Sequence, residues 1–194
     1  SARQRGADMI DVSSPFVLID DASGGGGARL YRAAHEIVAA HEPAEVAPAL
    51  ARLRAARGEG RHAAGWLGYE AGHALEPRLA SPGKREDGLP LLWFGLFDAP
   101  SRLSEAEVMA ALPDPAGAWA GPLRPRITRA AYEQAVARVL AYVAAGDIYQ
   151  ANLSFRSDVA ILGHPLALYA QWRRASRAGW GGVVWSGAHW LLSA

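Results

Sequence analysis

The 194-residue chain carries 20 basic and 19 acidic side chains for a formal net charge of +1, with 51% hydrophobic residues, 20% charged residues and no cysteine. That balance fits a soluble globular protein with a core spread over one or two domains, and it offers no bulk electrostatic pull towards nucleic acid or a membrane surface. The missing cysteines exclude disulfides, thiol catalysis and thiolate-held metals, with a reducing cytoplasm as the natural compartment. No apolar run approaches the ~20 residues of a membrane helix. The opening Ser1-Ala-Arg-Gln-Arg-Gly6 lacks the apolar stretch of a secretory signal.

In chain order, residues 1–13 read as a lead-in, and Pro15-Phe-Val-Leu-Ile-Asp20 as a buried strand. Ala22 to Ala28 holds four glycines in a row, a flexible loop without the G-x-G-x-x-G spacing or G-K-[ST] ending of a phosphate loop. Arg29-Leu-Tyr-Arg32 starts a second strand. Pro43 to Arg57 is helical, with Val46, Leu50 and Leu53 on one face and Gly58-Glu-Gly60 as its stop. Arg61 to Gly68 reads as a strand with close-approach glycines, and Tyr69 to Pro77 as a turn or short helix. Lys84, the single lysine, falls in the exposed-loop pattern Ser81-Pro-Gly-Lys-Arg-Glu-Asp-Gly88, where a solvated amine is a poor nucleophile.

Leu89 to Phe97 is apolar throughout, the pattern of a central strand buried on both faces. The proline-rich stretch from Ala99 to Pro125 reads as a surface connection with a short helix from Ser104 to Leu112. Thr128 is a good N-cap for a helix from Arg129 to Ala145, with Tyr132, Val136, Val139, Leu140 and Val143 as its buried stripe and Gly146 as its stop. The next ten residues, Asp147 to Arg156, alternate as a strand. Tyr149, Ala151, Leu153 and Phe155 face one way; Ile148, Gln150, Asn152, Ser154 and Arg156 face the other, a mostly polar side that reads as a solvated sheet face or the wall of a polar cavity. Asp158 to Leu162 extends or pairs with it. A helix over Pro165 to Ala175 and a hairpin of Gly179–Trp185 with His189–Ser193 about Ser186-Gly187 complete the chain. Strands and helices alternate without βαβ spacing, so the expected fold class is α+β with largely antiparallel sheets and packed helices. The last residues read as a strand in full course, so the expectation is a fragment, incomplete at the C-terminus.

Isolated chemistry is sparse. The six histidines show no H-x-x-x-H or H-E-x-x-H spacing, so no metal site is expected from them. Tyr69-Glu70 with His73 and Glu76 offers two carboxylates and an imidazole within eight residues, either an acid–base group or, the preferred reading, a polar turn. Trp180 lies between Gly179 and Gly181-Gly182, where its ring packs in the core or against a ligand.

Gly146-Asp-Ile-Tyr-Gln-Ala-Asn-Leu-Ser-Phe-Arg156 resembles the entry strand of the chorismate-using enzymes, in the branch that contains aminodeoxychorismate synthase component I and anthranilate synthase component I. Phe16 to Ala22, Gly65 to Gly72 with Ala74 to Pro77, and Leu91 to Phe97 are similar to the former in order and spacing. The resemblance implies an N-terminal component I-like domain over residues 1–125 and the start of a chorismate-binding domain over 126–194. It implies amination of chorismate with ammonia to 4-amino-4-deoxychorismate, towards p-aminobenzoate and folate, with ammonia from a glutamine amidotransferase. In that family Mg²⁺-holding glutamates and a P-I-K-G lysine follow further on. No catalytic residue and no metal ligand is therefore expected in this chain, which is expected to be inactive alone. Gln150, Asn152, Ser154 and Arg156 become supporting residues. Leu18-Ile-Asp-Asp21 and Gly179-Trp180-Gly181 stand where anthranilate synthase has L-L-E-S and a P-Y-M-like motif, which favours the p-aminobenzoate branch. A tryptophan-like pocket, by the same resemblance, would be lined by Ile19, Asp21, Tyr31, Gly179 and Trp180. Anthranilate synthase component I, and a non-catalytic module that binds an aromatic amino acid or a partner, remain the alternatives.

Overall fold

The computed structural model describes residues 10–23, 27–76, 78–79 and 88–194. Most of the expected lead-in, the glycines 24–26 of the first loop and the loop around Lys84 lie outside these residues.

β1 (Phe16–Asp21) and β2 (Gly27–Arg32) are the two opening strands, and β3 (Glu36–Ala40) follows. Helix α1 (Pro43–Gly58) starts on a proline, whose missing N–H costs nothing in the first turn. Glu45 turns back to accept the backbone N–H groups of His41 and Glu42 at 2.7 and 3.0 Å. Next come β4 (His62–Leu67), a 3-10 turn (Tyr69–Ala71), α2 (Gly72–Leu75), β5 (Leu92–Phe97) and β6 (Ser101–Leu103). Helix α3 (Glu105–Ala111) opens on a reciprocal cap in which Ser104 Oγ accepts from Glu107 N–H while Glu107 accepts from Ser104 N–H. After β7 (Ala118–Ala120) and β8 (Arg124–Pro125), helix α4 (Arg129–Ala145) is capped by Thr128 and closed by Gly146 at φ 80°. β9 (Ser157–Asp158) and β10 (Ile161–Gly163) precede α5 (Pro165–Ser176), where His164 Nδ1 accepts the Leu166 N–H at 3.1 Å. β11 (Gly181–Trp185) and β12 (Trp190–Ser193) form the closing hairpin.

Every strand pair is antiparallel, and the fold is α+β. By contacts the chain divides into two compact units, residues 1–117 with 164–194, and residues 118–163. The division differs from the expected boundary at 125/126. β11 pairs with β1, so the closing hairpin completes a sheet begun at Phe16 rather than founding a second domain.

In the first unit, a five-stranded sheet runs β12-β11-β1-β2-β6 and a three-stranded sheet runs β3-β5-β4. Period-two alternation gives each sheet two apolar faces. Phe16, Leu18, Leu30 and Val183 meet Val108 of α3 and Leu166 and Tyr169 of α5 on one face of the large sheet. Val17 and Val184 on the other face meet Ala64, Trp93 and Phe97 of the small sheet. The far side of the small sheet, with Val38, Ala40, Leu92 and Leu96, is covered by Val46, Ala49 and Ala56 of α1. Its order places β5 centrally, as the unbroken apolar run predicts. Glu36–Ala40 carries too weak an alternation to be read as a strand; what makes it one is pairing with β5 from Glu36↔Leu96 to Ala40↔Leu92.

The second unit holds α4 and two short ladders, β7 with β10 and β8 with β9. Two expectations fail here. Residues 147–156 join no ladder, and the pairing is confined to Ser157–Asp158 with Arg124–Pro125 plus the Arg126 N–H to Arg156 carbonyl bond of 2.8 Å. Alternation signals a strand's two faces but supplies no neighbour to bond with. Nor is the α4 stripe buried: Tyr132, Leu140 and Val143 are 36%, 62% and 40% exposed, and none of the helix's residues is buried. Among the described residues, only Tyr132 of the helix is engaged by an aromatic neighbour, Phe155, edge-on at 5.4 Å.

Candidate functional site

β1 ends on two aspartates that alternation sends to opposite faces of the sheet. Asp20 points inward with Phe16 and Leu18 and is fully buried. Its carboxylate accepts from Arg173 Nε at 2.7 Å and from Tyr169 Oη at 2.8 Å, both carried by α5 one turn apart. Burial first, and then the neighbouring Asp20 carboxylate, push the Tyr169 hydroxyl well above the usual phenol range. Glu105 of α3 stands 3.6 Å from Arg173 on the outer side. A carboxylate and a guanidinium taken out of water together need such complete pairing, so this cluster locks α5 under β1.

Asp21 points the other way. It accepts from the Ser23 hydroxyl at 2.6 Å and the Ser23 N–H at 3.0 Å, and the hydroxyl bond, then the amide bond, hold its carboxyl below the usual range. On the same face the register forms a row across the sheet: Gly182, Ile19, Arg29 and Arg102. A Cβ at Gly182 would lie 2.5 Å from the Leu18 carbonyl oxygen, so β11 reaches β1 here only as glycine. The small sheet covers Val17 and Val184 on this face, while Ile19 packs against that layer but is only partly buried, at its more open end.

Two concavities lie at that open end. One, of about 250 Å³, is lined by Ile19, Asp21, Arg29, Arg102 and Trp180 with Gly27, Ala28 and Leu103. The other, an apolar groove of about 690 Å³, shares Ile19 and Trp180 and extends over Gly65, Trp66, Gly181, Gly182 and the β12 residues. The Trp180 indole, 70% exposed, belongs to both walls. Of the alternatives for this ring, core is excluded by its exposure.

The structure thus brings Ile19, Asp21 and Trp180 to one cavity. It places Tyr31 elsewhere, in the layer between the sheets, with its ring 5.7 Å from Phe97 and 6.5 Å from His62. Gly179 is not among the cavity-lining residues. Gln150, Asn152, Ser154 and Arg156 lie in the second unit on the exposed, unladdered segment, where Ser154 Oγ bonds only locally to the Asn152 carbonyl at 3.4 Å. Tyr69, 95% exposed, and Glu76, which accepts from Arg78 N–H at 3.1 Å, sit in the polar turn that the sequence favours. Among the described residues no group of three or more His, Asp or Glu is placed to hold a metal ion. None of their helices is long and apolar enough to cross a membrane.

Two features escaped sequence reasoning. Asp20 in an otherwise apolar strand is the signal for a buried partner. The alternation Ala28-Arg-Leu-Tyr-Arg32 is the signal that Arg29 shares a face with Tyr31, but Arg102 joins it only through the β2–β6 register.

Residues 21–194 match the family of chorismate binding enzymes. The chain belongs to that family. Among curated relatives, aminodeoxychorismate synthase component 1 of Bacillus subtilis (strain 168) is 34% identical over 64 residues, a stretch covering 33% of this chain and 13% of the relative. The chorismate-binding match runs through both compact units and takes in Asp21, Arg29, Arg102 and Trp180, while Ile19 and Asp20 fall just before it.

Proposed function

We propose that this chain is part of component I of an aminodeoxychorismate synthase. The enzyme would aminate chorismate with ammonia to 4-amino-4-deoxychorismate, on the route to p-aminobenzoate and folate in the cytoplasm, with ammonia drawn from a glutamine amidotransferase subunit. The likeness to the Bacillus subtilis component 1 carries this reading. Departure of the chorismate hydroxyl is eased when Mg²⁺ neutralises a substrate carboxylate. The described residues offer no ligand set for that ion, so no residue of this chain is assigned to it. The chain's own contribution is structural: the sheets, and the ion-paired seat of α5, hold the ends of β1 and β11 in place. The test is to supply the complete gene product with chorismate, ammonium and Mg²⁺ and identify the amine formed. Aminodeoxychorismate is expected; anthranilate would transfer the assignment to the tryptophan branch. The 194-residue chain alone is expected to leave chorismate unchanged.

One observation favours a second, compatible role for the first unit. Ile19, Asp21 and Trp180 converge on one cavity, the arrangement a pocket for a small aromatic ligand such as an amino acid requires.

A further inference from the structure

A separate cavity of about 400 Å³ lies between the end of α3 and α5, on the other side of the large sheet from the Trp180 concavities. Met109, Leu112 and Ala170 supply its apolar walls, and two charged side chains complete it: Asp114 on the loop after α3, and Arg174 in the last turn of α5. The two do not pair with each other, and Arg174 has no hydrogen bond or ion pair among the described residues. Asp114 commits one oxygen, Oδ1, to the Ala116 N–H at 2.9 Å. The frame around them is fixed. Gln171 Nε2 donates to the Pro115 carbonyl, and the Gly117 N–H donates to the Asp114 carbonyl at 2.9 Å. Arg174 stands three residues beyond Gln171, about 4.5 Å further along the helix axis. Met109 is tied to the seat of α5, since its Sδ accepts from Arg173 Nη1 at 3.4 Å.

Acceptors gather on the Asp114 side. The carbonyls that end α3 carry the negative end of its dipole, and the residue four beyond Met109 is Pro113, which has no N–H to give. A simple anion at Arg174 meets the Asp114 carboxylate, a simple cation at Asp114 meets the guanidinium, and an uncharged molecule answers neither. We propose that this cavity binds a small zwitterion, an aliphatic amino carboxylate. Its carboxylate takes the planar fork of Arg174, its ammonium takes Asp114 and the end of α3, and its hydrocarbon part lies against Met109, Leu112 and Ala170. The volume is in the lower part of the range for small-molecule pockets, as a ligand of that size requires.

Three probes that share one carbon chain test this on the 194-residue chain by ligand-observed NMR: norleucine carries both charges, hexanoate lacks the ammonium, and pentylamine lacks the carboxylate. Saturable norleucine binding is expected, at least about tenfold tighter than that of either other probe. R174Q should remove the advantage over pentylamine, D114N the advantage over hexanoate, and W180A should change nothing. Both substituted side chains are exposed, and asparagine at 114 keeps the acceptor for Ala116, so the variants are expected to fold, which circular dichroism verifies. Absence of saturable norleucine binding overturns the proposal, as does hexanoate or pentylamine binding equal to that of norleucine. Norleucine binding that survives R174Q and D114N overturns it too, and its loss in W180A alone moves the ligand to the Trp180 cavity. None of these results bears on the chorismate chemistry.

Discussion

Replacing Arg173 by methionine isolates the buried cluster that seats α5. Arg173 and Asp20 have side-chain exposures of 4% and 0%, so in R173M the Asp20 carboxylate stays buried with Tyr169 as its remaining side-chain partner. Removing one member of such a pair costs about 3–5 kcal/mol, because the other charge is left uncompensated. That is a large part of the ~5–15 kcal/mol available to a domain of this size. Replacing both charged residues, as D20L with R173M, removes the stranded charge but orphans the Tyr169 hydroxyl, at a further cost of about 1–3 kcal/mol. The triple variant D20L/Y169F/R173M removes that too and is expected to recover most of the loss, since apolar groups of similar volume replace buried ion pairs at little cost. Urea unfolding followed by far-UV circular dichroism and Trp fluorescence measures each step, with equal slopes required before midpoints are compared. A loss below about 1 kcal/mol in R173M, or a triple variant no better than R173M, would falsify the view that pairing, rather than packing alone, holds this cluster.

Three other outcomes follow from the geometry. G182A drives a Cβ to 2.5 Å from the Leu18 carbonyl and is expected to cost about 1–3 kcal/mol, while G179A, with nothing within 4 Å, is expected to be neutral; paired thermal melts decide this. L140R on α4 places a charge on a side chain already 62% exposed, so a change within about 0.5 kcal/mol is expected, and a drop in melting temperature of several degrees would contradict that exposure. Asp21, Asp98 and Asp158 are held below the usual range chiefly by hydrogen bonds from Ser23, His35 and Arg126 in turn. A carboxyl with a depressed folded value contributes stability that is complete above its unfolded value of about 4 and is lost as pH falls through the folded value. Melting temperature should therefore hold down to about pH 5 and decline below about pH 4, and D98N should flatten that decline; a steeper loss between pH 5 and 7 would point to histidines instead.

Local signals carried far where the physics is local. Thr128 and Gly146 bound α4 because a cap hydroxyl and a left-handed glycine act within one turn. The apolar run at β5 foretold a central strand because burial on both faces leaves no polar position to place. The same reasoning misjudged residues 147–156 and the α4 stripe for a shared reason. Periodicity states which residues would be buried together if a partner were present, and neither β-neighbour nor helix-covering surface occurs among the described residues.

The site divides along the same line. Ile19 and Asp21 were named only through the resemblance of Leu18-Ile-Asp-Asp21 to a family motif, and Trp180 also because glycines flank it, but the two arginines that give the cavity its charge meet only through a ladder between residues 73 positions apart, Arg29 and Arg102. Tyr31, one of the five expected lining residues, is two positions from Arg29 on the same strand face, yet it lies under the small sheet, in the covered layer with Phe97. The edge of that small sheet is what separates core from cavity on a single strand face, and the β4–β5–β3 pairing that sets this edge is long-range.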